Sequence, residues 1–188
     1  MTSVRCLLAV LALSGCASPK PMPSLTGNAL QRSSAALGSG SALDFTVRRY
    51  PGGEPFSLAS ERGNVVLLDV WATWCEPCRD SLPMYQDLAK HYAARGLKAY
   101  ALNVDEDTRG IAAFLKETKV DPAVIPVLLD AGANVADSVL HLKGMPTSLL
   151  IDRRGQVRFV HEGFNEDDLA RSQQEIETLL QEEVPRDR

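Results

Sequence analysis

Trp71-Ala72-Thr73-Trp74-Cys75-Glu76-Pro77-Cys78-Arg79 is the stretch on which the reading of this chain turns. It continues the apolar run Val65-Val66-Leu67-Leu68-Asp69-Val70 and leads into a segment with Leu82, Tyr85, Leu88, Ala89 and Tyr92 at helical spacing. The run predicts a buried central strand. The spacing predicts a helix, kinked at Pro83 and ended by Gly96. A strand feeding a helix that opens on Cys-X-X-Cys suits the making and breaking of one disulfide. Amides and dipole at a helix N-terminus favour thiolate and lower a cysteine pKa from about 8.5 to roughly 3.5–7.5. Cys75 is therefore the expected nucleophile, and Cys78, one turn further in, the resolving thiol. Pro77 suits the first helical turn and holds the sulfurs close. The Glu76 carboxylate opposes thiolate formation slightly, so both residues tune the pair.

The other two cysteines belong to the N-terminus. Arg5 is followed by the apolar run Cys6 to Leu13, then by Ser14-Gly15-Cys16. This run is far short of the roughly 20 residues that span a bilayer. It matches the hydrophobic region of an export signal, and no later segment is long and apolar enough to span. Leu13-Ser14-Gly15-Cys16 resembles the bacterial lipoprotein processing box. The resemblance implies cleavage before Cys16 and its lipidation, with a plain signal peptide and a chance cysteine as the alternative. Each buried CH2 of the acyl chains would contribute about 0.8 kcal/mol to membrane anchoring. Ala17 after Cys16 favours the outer membrane where there is one. With Cys6 lost and Cys16 acylated, only Cys75 and Cys78 remain as thiols, in an extracytoplasmic space where disulfides persist.

The expected organisation is a signal over 1–15, a lipidated cysteine and flexible tether over 16–42, a folded domain over 43–184 and a loose tail over 185–188. The tether carries Pro19, Pro21, Pro23, Gly27, Gly38 and Gly40 without periodicity. With 188 residues, 45% apolar and 23% charged, the chain can form a real core. A formal charge of -4 and the lack of any Lys/Arg run argue against nucleic acid as a partner. A zinc site needs two further ligands, and His91, His141 and His161 are scattered, so no metal and no cofactor is expected. A merely structural disulfide gains little from so short a loop. The protein is expected to be a monomer.

Along the domain, strands are expected at Leu43–Val47 and Pro55–Leu58 around a turn at Tyr50-Pro51-Gly52-Gly53, then at Leu97–Val104 and Val127–Leu129. Asp107 or Thr108 can cap a helix carrying Ile111, Phe114 and Leu115. A short helix is expected over Asn134–His141, and a hairpin from Thr147–Ile151 and Val157–Val160. Asn165 caps a last helix, with Glu166, Asp167 and Asp168 against its dipole and Leu169, Ile176, Leu179 and Leu180 on its apolar face. The pattern reads as an α/β domain with a mixed sheet.

The nine residues 71–79 look like the active site of the thioredoxin superfamily. More narrowly, they resemble the membrane-tethered thiol-disulfide oxidoreductases of the TlpA and ResA type, over about residues 43–180. Gly144-Met145-Pro146-Thr147 is a second matching motif. The resemblance implies a thioredoxin-like fold, a central mixed sheet flanked by helices. It also implies an N-terminal β-hairpin over 43–58 and a TlpA-type helix-strand insertion from about Asp107 to Ala131. It implies a cis Met145–Pro146 bond facing the cysteines, with Met145 offering backbone hydrogen bonds to a substrate strand and Trp74 shaping the contact. Asp69 matches the buried acid of thioredoxins that shuttles the proton of the inner cysteine; a solvated strand-edge carboxylate is the alternative. Many relatives of this type carry Glu three residues after the second cysteine. Here that residue is Ser81, beside Asp80, so that glutamate's role is not carried over.

The implied function is an extracytoplasmic, lipid-anchored thiol-disulfide oxidoreductase that mainly reduces protein disulfides. Its partners would be exported proteins, apocytochrome c among them, and a membrane thiol electron donor. Two other classes compete. A peroxidase of the peroxiredoxin branch would show Pro-X-X-X-Thr-X-X-Cys, but Thr73 precedes Cys75 by two positions and no proline lies in register. A non-catalytic or metal-binding lipoprotein would draw on His141 or His161.

Overall fold

The computed structural model describes residues 42–165 and 167–183. The expected signal, Cys16, the tether up to residue 41, Glu166 and the tail from residue 184 lie outside the described residues. No helix among the described residues is long and apolar enough to cross a membrane.

Seven strands form one mixed sheet: β1 (Thr46–Arg49), β2 (Pro55–Ser57), β3 (Val65–Trp71), β4 (Leu97–Asn103), β5 (Val127–Leu129), β6 (Thr147–Ile151) and β7 (Val157–Glu162). Their spatial order is β2-β1-β5-β4-β3-β6-β7. β3, β4 and β5 run parallel, while β6 lies antiparallel to β3 and β1 antiparallel to β5. Four α-helices complete the domain: α1 (Cys78–Tyr92), α2 (Ile111–Thr118), α3 (Asn134–Ser138) and α4 (Asp168–Gln181).

β3 is the axis, and all seven of its residues are buried. Alternation along a strand sends successive side chains to opposite faces. Val65, Leu67 and Trp71 pack with Leu82, Tyr85, Phe114, Ile176 and Leu179 from α1, α2 and α4. Val66, Leu68 and Val70 pack with Phe56, Tyr100, Leu140 and Leu149 on the other face. Two apolar layers explain the unbroken hydrophobic run, because neither face of the strand meets water.

Several boundaries differ from the sequence expectation. β1 begins at Thr46 rather than Leu43, because the residues before it hold loops instead of pairing. The Leu43 N–H donates to the Gly155 carbonyl at 2.8 Å, and the Asp44 carboxylate accepts the Ala59 N–H at 2.9 Å. The segment around α2 and β5 is inserted between β4 and β1, as the helix-strand insertion requires. α2 starts after Gly110 with no side-chain cap, since Asp107 instead accepts the Arg109 N–H at 2.9 Å and pairs with its guanidinium. α3 stops at Ser138, and His141 sits at a φ of 51°. α1 runs through Pro83 as one helix.

The last helix differs in a way that bears on the interior. Asn165 caps it reciprocally: its Oδ1 accepts the Asp167 N–H at 3.0 Å, and the Asp168 carboxylate accepts the Asn165 N–H at 2.7 Å. Leu169, expected on the apolar face, is exposed. Asp168, Ser172 and Glu175 turn inward beside Ile176 and Leu179. β7 also continues past Val160 to Glu162, which brings His161 into the sheet.

The loop after β4 clamps the loop after β3. The Thr73 N–H donates to both carboxylate oxygens of Asp105, at 3.2 and 3.0 Å. Asn103 in turn holds Asp105, donating from Nδ2 at 2.9 Å. The Val104 N–H donates to the Trp71 carbonyl at 3.0 Å. Thr73 lies two residues before Cys75, so this clamp sets where the cysteine turn begins. Asp105→Ala leaves the Thr73 amide without its charged partner. It should lower unfolding stability by about 1–3 kcal/mol in urea titrations, the cost of an orphaned partner of a charged hydrogen bond.

Candidate active site

The turn between β3 and α1 is built from short backbone bonds. The Cys75 N–H donates to the Ala72 carbonyl at 3.1 Å, and the Cys78 N–H to the Cys75 carbonyl at 3.2 Å. The first helical residue is Cys78, so Cys75 lies one turn ahead of α1 rather than within it. Pro77 occupies the position before the helix with a φ of -64°, the value its ring imposes. Cys75 and Cys78 are joined, with Sγ atoms 1.98 Å and Cα atoms 5.4 Å apart. Cys75 keeps 5% of its surface and Cys78 none, so an incoming nucleophile or disulfide meets Cys75 first.

A cleft of about 510 Å³ opens beside Cys75, with Trp74, Pro77, Val104, Lys143 and Met145 among its walls. Trp74 is 71% exposed. Its indole is an apolar surface at the lip of the disulfide, not part of the core as Trp71 is. The Met145–Pro146 bond is cis. Neither the N–H nor the carbonyl of Met145 has a backbone partner among the described residues. The Pro146 carbonyl is taken by the Gly163 N–H at 2.8 Å, and Thr147 Oγ1 donates to the Gly144 carbonyl at 2.7 Å. Met145 thus leaves an unpaired stretch of backbone in the cleft that Cys75 also lines.

Glu76 points outward. Arg79 Nε lies 3.2 Å from its carboxylate, and Arg79 Nη1 lies 2.9 Å from Glu117 of α2. The guanidinium offsets the charge that Glu76 brings to the pair and ties the active-site turn to the insertion helix. The sequence reading placed Glu76 beside the cysteines but missed Arg79, whose spacing of three residues from Glu76 was the available signal.

Asp69 is the acid of β3. It is fully buried on the α1 face of β3, and the solvated strand-edge alternative does not hold. Its Oδ2 accepts a long 3.4 Å hydrogen bond from Ser81 Oγ, one turn along α1 from Cys78. Its Oδ1 has no partner among the described residues. Burial pushes the carboxyl well above the usual carboxylate range, and the Ser81 bond pulls it back only in part. Ser81 is itself fully buried, so the serine at the departing position faces this acid directly. Tyr85, a turn further along α1, donates to Ser148 Oγ at 2.8 Å. Burial and then the Asp69 charge raise its phenol. Neither the Tyr85 hydroxyl nor Ser148 was singled out from the sequence, where Tyr85 reads as one more apolar helix position.

The histidines stand apart from the cleft. His141 Nδ1 faces the Asp137 carbonyl at 3.1 Å, and His161 is buried against Glu175. Among the described residues no three His, Cys, Asp or Glu side chains are grouped to hold a metal ion.

Known proteins match this arrangement. The AhpC/TSA family matches residues 39–160. The thiol-disulfide oxidoreductase ResA of Bacillus subtilis is 31% identical over 130 residues, spanning 69% of this chain and 70% of that protein. The thioredoxin-like protein YneN of the same organism is 32% identical over 125 residues, spanning 65% of this chain and 69% of that one. A candidate thiol:disulfide interchange protein DsbE from Chlorobium tepidum superposes with a TM-score of 0.66 at 37% identity, covering 74% of this chain and 94% of its own. An accessible cysteine joined to a buried one, on a thioredoxin-like sheet, carries the chemistry that the ResA and DsbE names describe. The chain belongs to the AhpC/TSA family, and it is a thiol-disulfide oxidoreductase of the ResA and DsbE type.

Proposed function

We propose that the protein works as a reductase of disulfides in exported proteins, held at the outer face of a bacterial membrane by lipid on Cys16. The unequal burial of Cys75 and Cys78, on a sheet face that also buries Asp69 with its carboxyl pushed up by desolvation, carries the reading. In the dithiol state Cys75 attacks a substrate disulfide as thiolate. One substrate sulfur leaves and takes a proton, and a mixed disulfide forms. Asp69, in its ionised form, accepts the Cys78 proton through the interior. The Cys78 thiolate then attacks Cys75 Sγ, the second substrate sulfur leaves as thiolate and is protonated, and the Cys75–Cys78 disulfide closes. Two electrons pass from the pair to the substrate. A membrane thiol carrier restores the dithiol.

The substrate lies extended between Trp74 and Met145, adding its backbone to the Met145 wall. Apocytochrome c, whose paired cysteines must be reduced before haem attachment, fits such a site as an extended segment. A signal over 1–15, lipid on Cys16 and a tether over 16–42 would hold the site in the extracytoplasmic space, which the resemblance to ResA supports. The AhpC/TSA match keeps a peroxidase as the second reading. Peroxide consumption by the dithiol protein, far faster than that of free dithiol, would favour it.

Cys78→Ser should accumulate mixed disulfides with substrate proteins, seen as thiol-sensitive bands in non-reducing gels. Cys75→Ser should reduce insulin no faster than buffer thiols; wild-type rates in that variant would sink the mechanism. The reduction potential of the pair decides direction, and a value near the oxidising end of the family's chemistry, about -120 mV, would favour an oxidase.

Asp69→Asn gives a separate check on the acid. A carboxyl whose folded pKa is raised binds its proton more tightly in the native state, so the native state loses stability as pH rises from the unfolded value through the raised one. Asp69→Asn should therefore melt higher than wild type at and above neutral pH, by at least about 2–4 °C. The two curves should converge near and below about pH 3.9. Resolution of the mixed disulfide should slow by about 10²-fold in the same variant.

A further inference from the structure

One rung of the sheet is polar across all three of its strands, beside the apolar rung Leu68–Leu149–Val160. Asp69 of β3 pairs in register with Ser148 of β6, and Ser148 pairs with His161 of β7. Register partners share a face, with Cβ atoms about 4.5–5.5 Å apart. All three are buried, on the face covered by α1 and α4. Helix residues close the rung from above. Ser81 Oγ reaches Asp69, Tyr85 Oη donates to Ser148 Oγ at 2.8 Å, and Glu175 Oε2 lies 2.7 Å from His161 Nε2. That last contact is close but off the ring N–H axis. It is a close contact rather than an aligned hydrogen bond, and neither atom makes a hydrogen bond elsewhere among the described residues.

Of the six buried side-chain polar atoms without a partner among the described residues, four lie on this rung: Asp69 Oδ1, His161 Nδ1, His161 Nε2 and Glu175 Oε2. Asp69 Oδ1 and His161 Nδ1 make no hydrogen bond, and each costs about 1–3 kcal/mol against an apolar replacement, whereas His161 Nε2 and Glu175 Oε2 face each other at 2.7 Å. Packing alone gives no reason to keep them in a row. A proton path does, because it needs acceptors and donors free to take the next proton. Imidazole is suited to such a path, since it exchanges protons at both nitrogens near neutral pH.

We propose that His161 and Glu175 form the outer station of a buried proton path that loads and empties Asp69 through the hydroxyls of Ser148 and Tyr85. The proposal rests on the proton-accepting role of Asp69 given above. The proton that leaves Cys78 resides on the Asp69 carboxyl once the disulfide closes. For the next cycle Asp69 must be ionised again, yet no face of β3 meets water. The Ser148 and Tyr85 hydroxyls hand the proton along the rung to the His161–Glu175 pair, and Glu175 releases it at the edge of α4. No electron moves in this step: one proton passes from interior to solvent after closure, and one returns along the same path to Asp69 and on to the Cys78 thiolate when the pair is re-reduced. His161 and Glu175 touch neither sulfur; they are positioning residues that act through Asp69.

The groups around the station are charged as well. Asp168 of α4 holds the Asn165 N–H and lies 3.5 Å from Arg171 Nη1. Both Asp168 and Glu175 raise the Tyr85 phenol, behind the larger contributions of burial and Asp69, so the field of α4 reaches the middle of the rung. Ser172, also buried on this face of α4, adds a hydroxyl. A change of charge at Glu175 is therefore felt at Tyr85 without any movement of the cysteine turn.

The test is multiple-turnover reduction of a model peptide disulfide with excess small-molecule dithiol as electron donor, followed by chromatography of the reduced peptide from pH 5 to 9. His161→Gln and Glu175→Gln should shift the midpoint of the rate–pH curve by about one unit and lower its plateau by about tenfold, and Glu175→Asp should restore the wild-type curve. An unmoved curve in the folded variants overturns the path even if rate or melting temperature falls evenly, because loss of packing changes those without moving the pH dependence. If His161→Gln does not fold, Glu175→Gln, isosteric and at the outer edge of the rung, carries the test. Asp69→Asn run alongside separates the two readings. A flattened curve there with unmoved Gln variants removes only the path, whereas an unmoved curve in Asp69→Asn removes the acid's role as well.

Discussion

A carboxyl group sits in the middle of the one strand that every layer of the domain is built on. β3 pairs with β4 along its whole length and with β6 along most of it, and both of its faces are sealed by apolar side chains. Burying Asp69 there is costly unless the group stays neutral or finds strong partners, and the single long bond from Ser81 is a weak one. The strand bears this cost because its apolar neighbours hold the register on both sides, and a slip of one residue would turn Leu67 and Trp71 to the wrong face. The tight packing that fixes β3 is thus what keeps the Asp69 carboxyl dry.

The two faces of the sheet divide the work. The face with Phe56, Tyr100 and Leu140 is an apolar layer with little chemistry in it. The face under α1 and α4 carries Cys78, Asp69, Ser81, Tyr85, Ser148, His161 and Glu175 among its apolar residues. The site therefore has depth: an accessible sulfur and an exposed indole at the surface, a hidden sulfur below, and an acid buried on the same face.

Much of this was legible from the sequence, and the reasons differ by element. The β3–α1 unit could be read because a fully buried strand and an amphipathic helix leave strong patterns, and because Cys-X-X-Cys leaves few competing chemistries. The cis bond at Pro146 came from the resemblance, since no local feature separates it from any other X-Pro bond. The rung from Asp69 to Glu175 was not legible. Ser148 and His161 fall in the terminal hairpin, and they join Asp69 only through the register of two antiparallel ladders. Glu175 does not stand out in the sequence, because Leu169, Ile176, Leu179 and Leu180 mark the expected apolar face of the last helix. The reciprocal bonds between Asn165 and Asp168 start that helix at Asp168, and its polar residues turn inward. Asp107 failed as a helix cap for a comparable reason: the arginine two residues on competes for its carboxylate.

The position of Leu43 carries a consequence for how the molecule meets its partners. Its N–H is held by Gly155 and its carbonyl by Arg62, at the turn between β6 and β7 and the approach to β3. Both lie where β6 ends and β3 begins, whereas the cysteines and Met145 lie where β3 ends and β6 begins. The chain thus joins the domain at the pole opposite its reactive sulfur, about 20 Å away along a seven-residue strand. Any anchor upstream of Leu43 would hold the molecule by its base and present Cys75 to the aqueous side. Floating substrates would reach that sulfur directly, and a donor embedded in the same bilayer could meet it only after the whole domain had turned over.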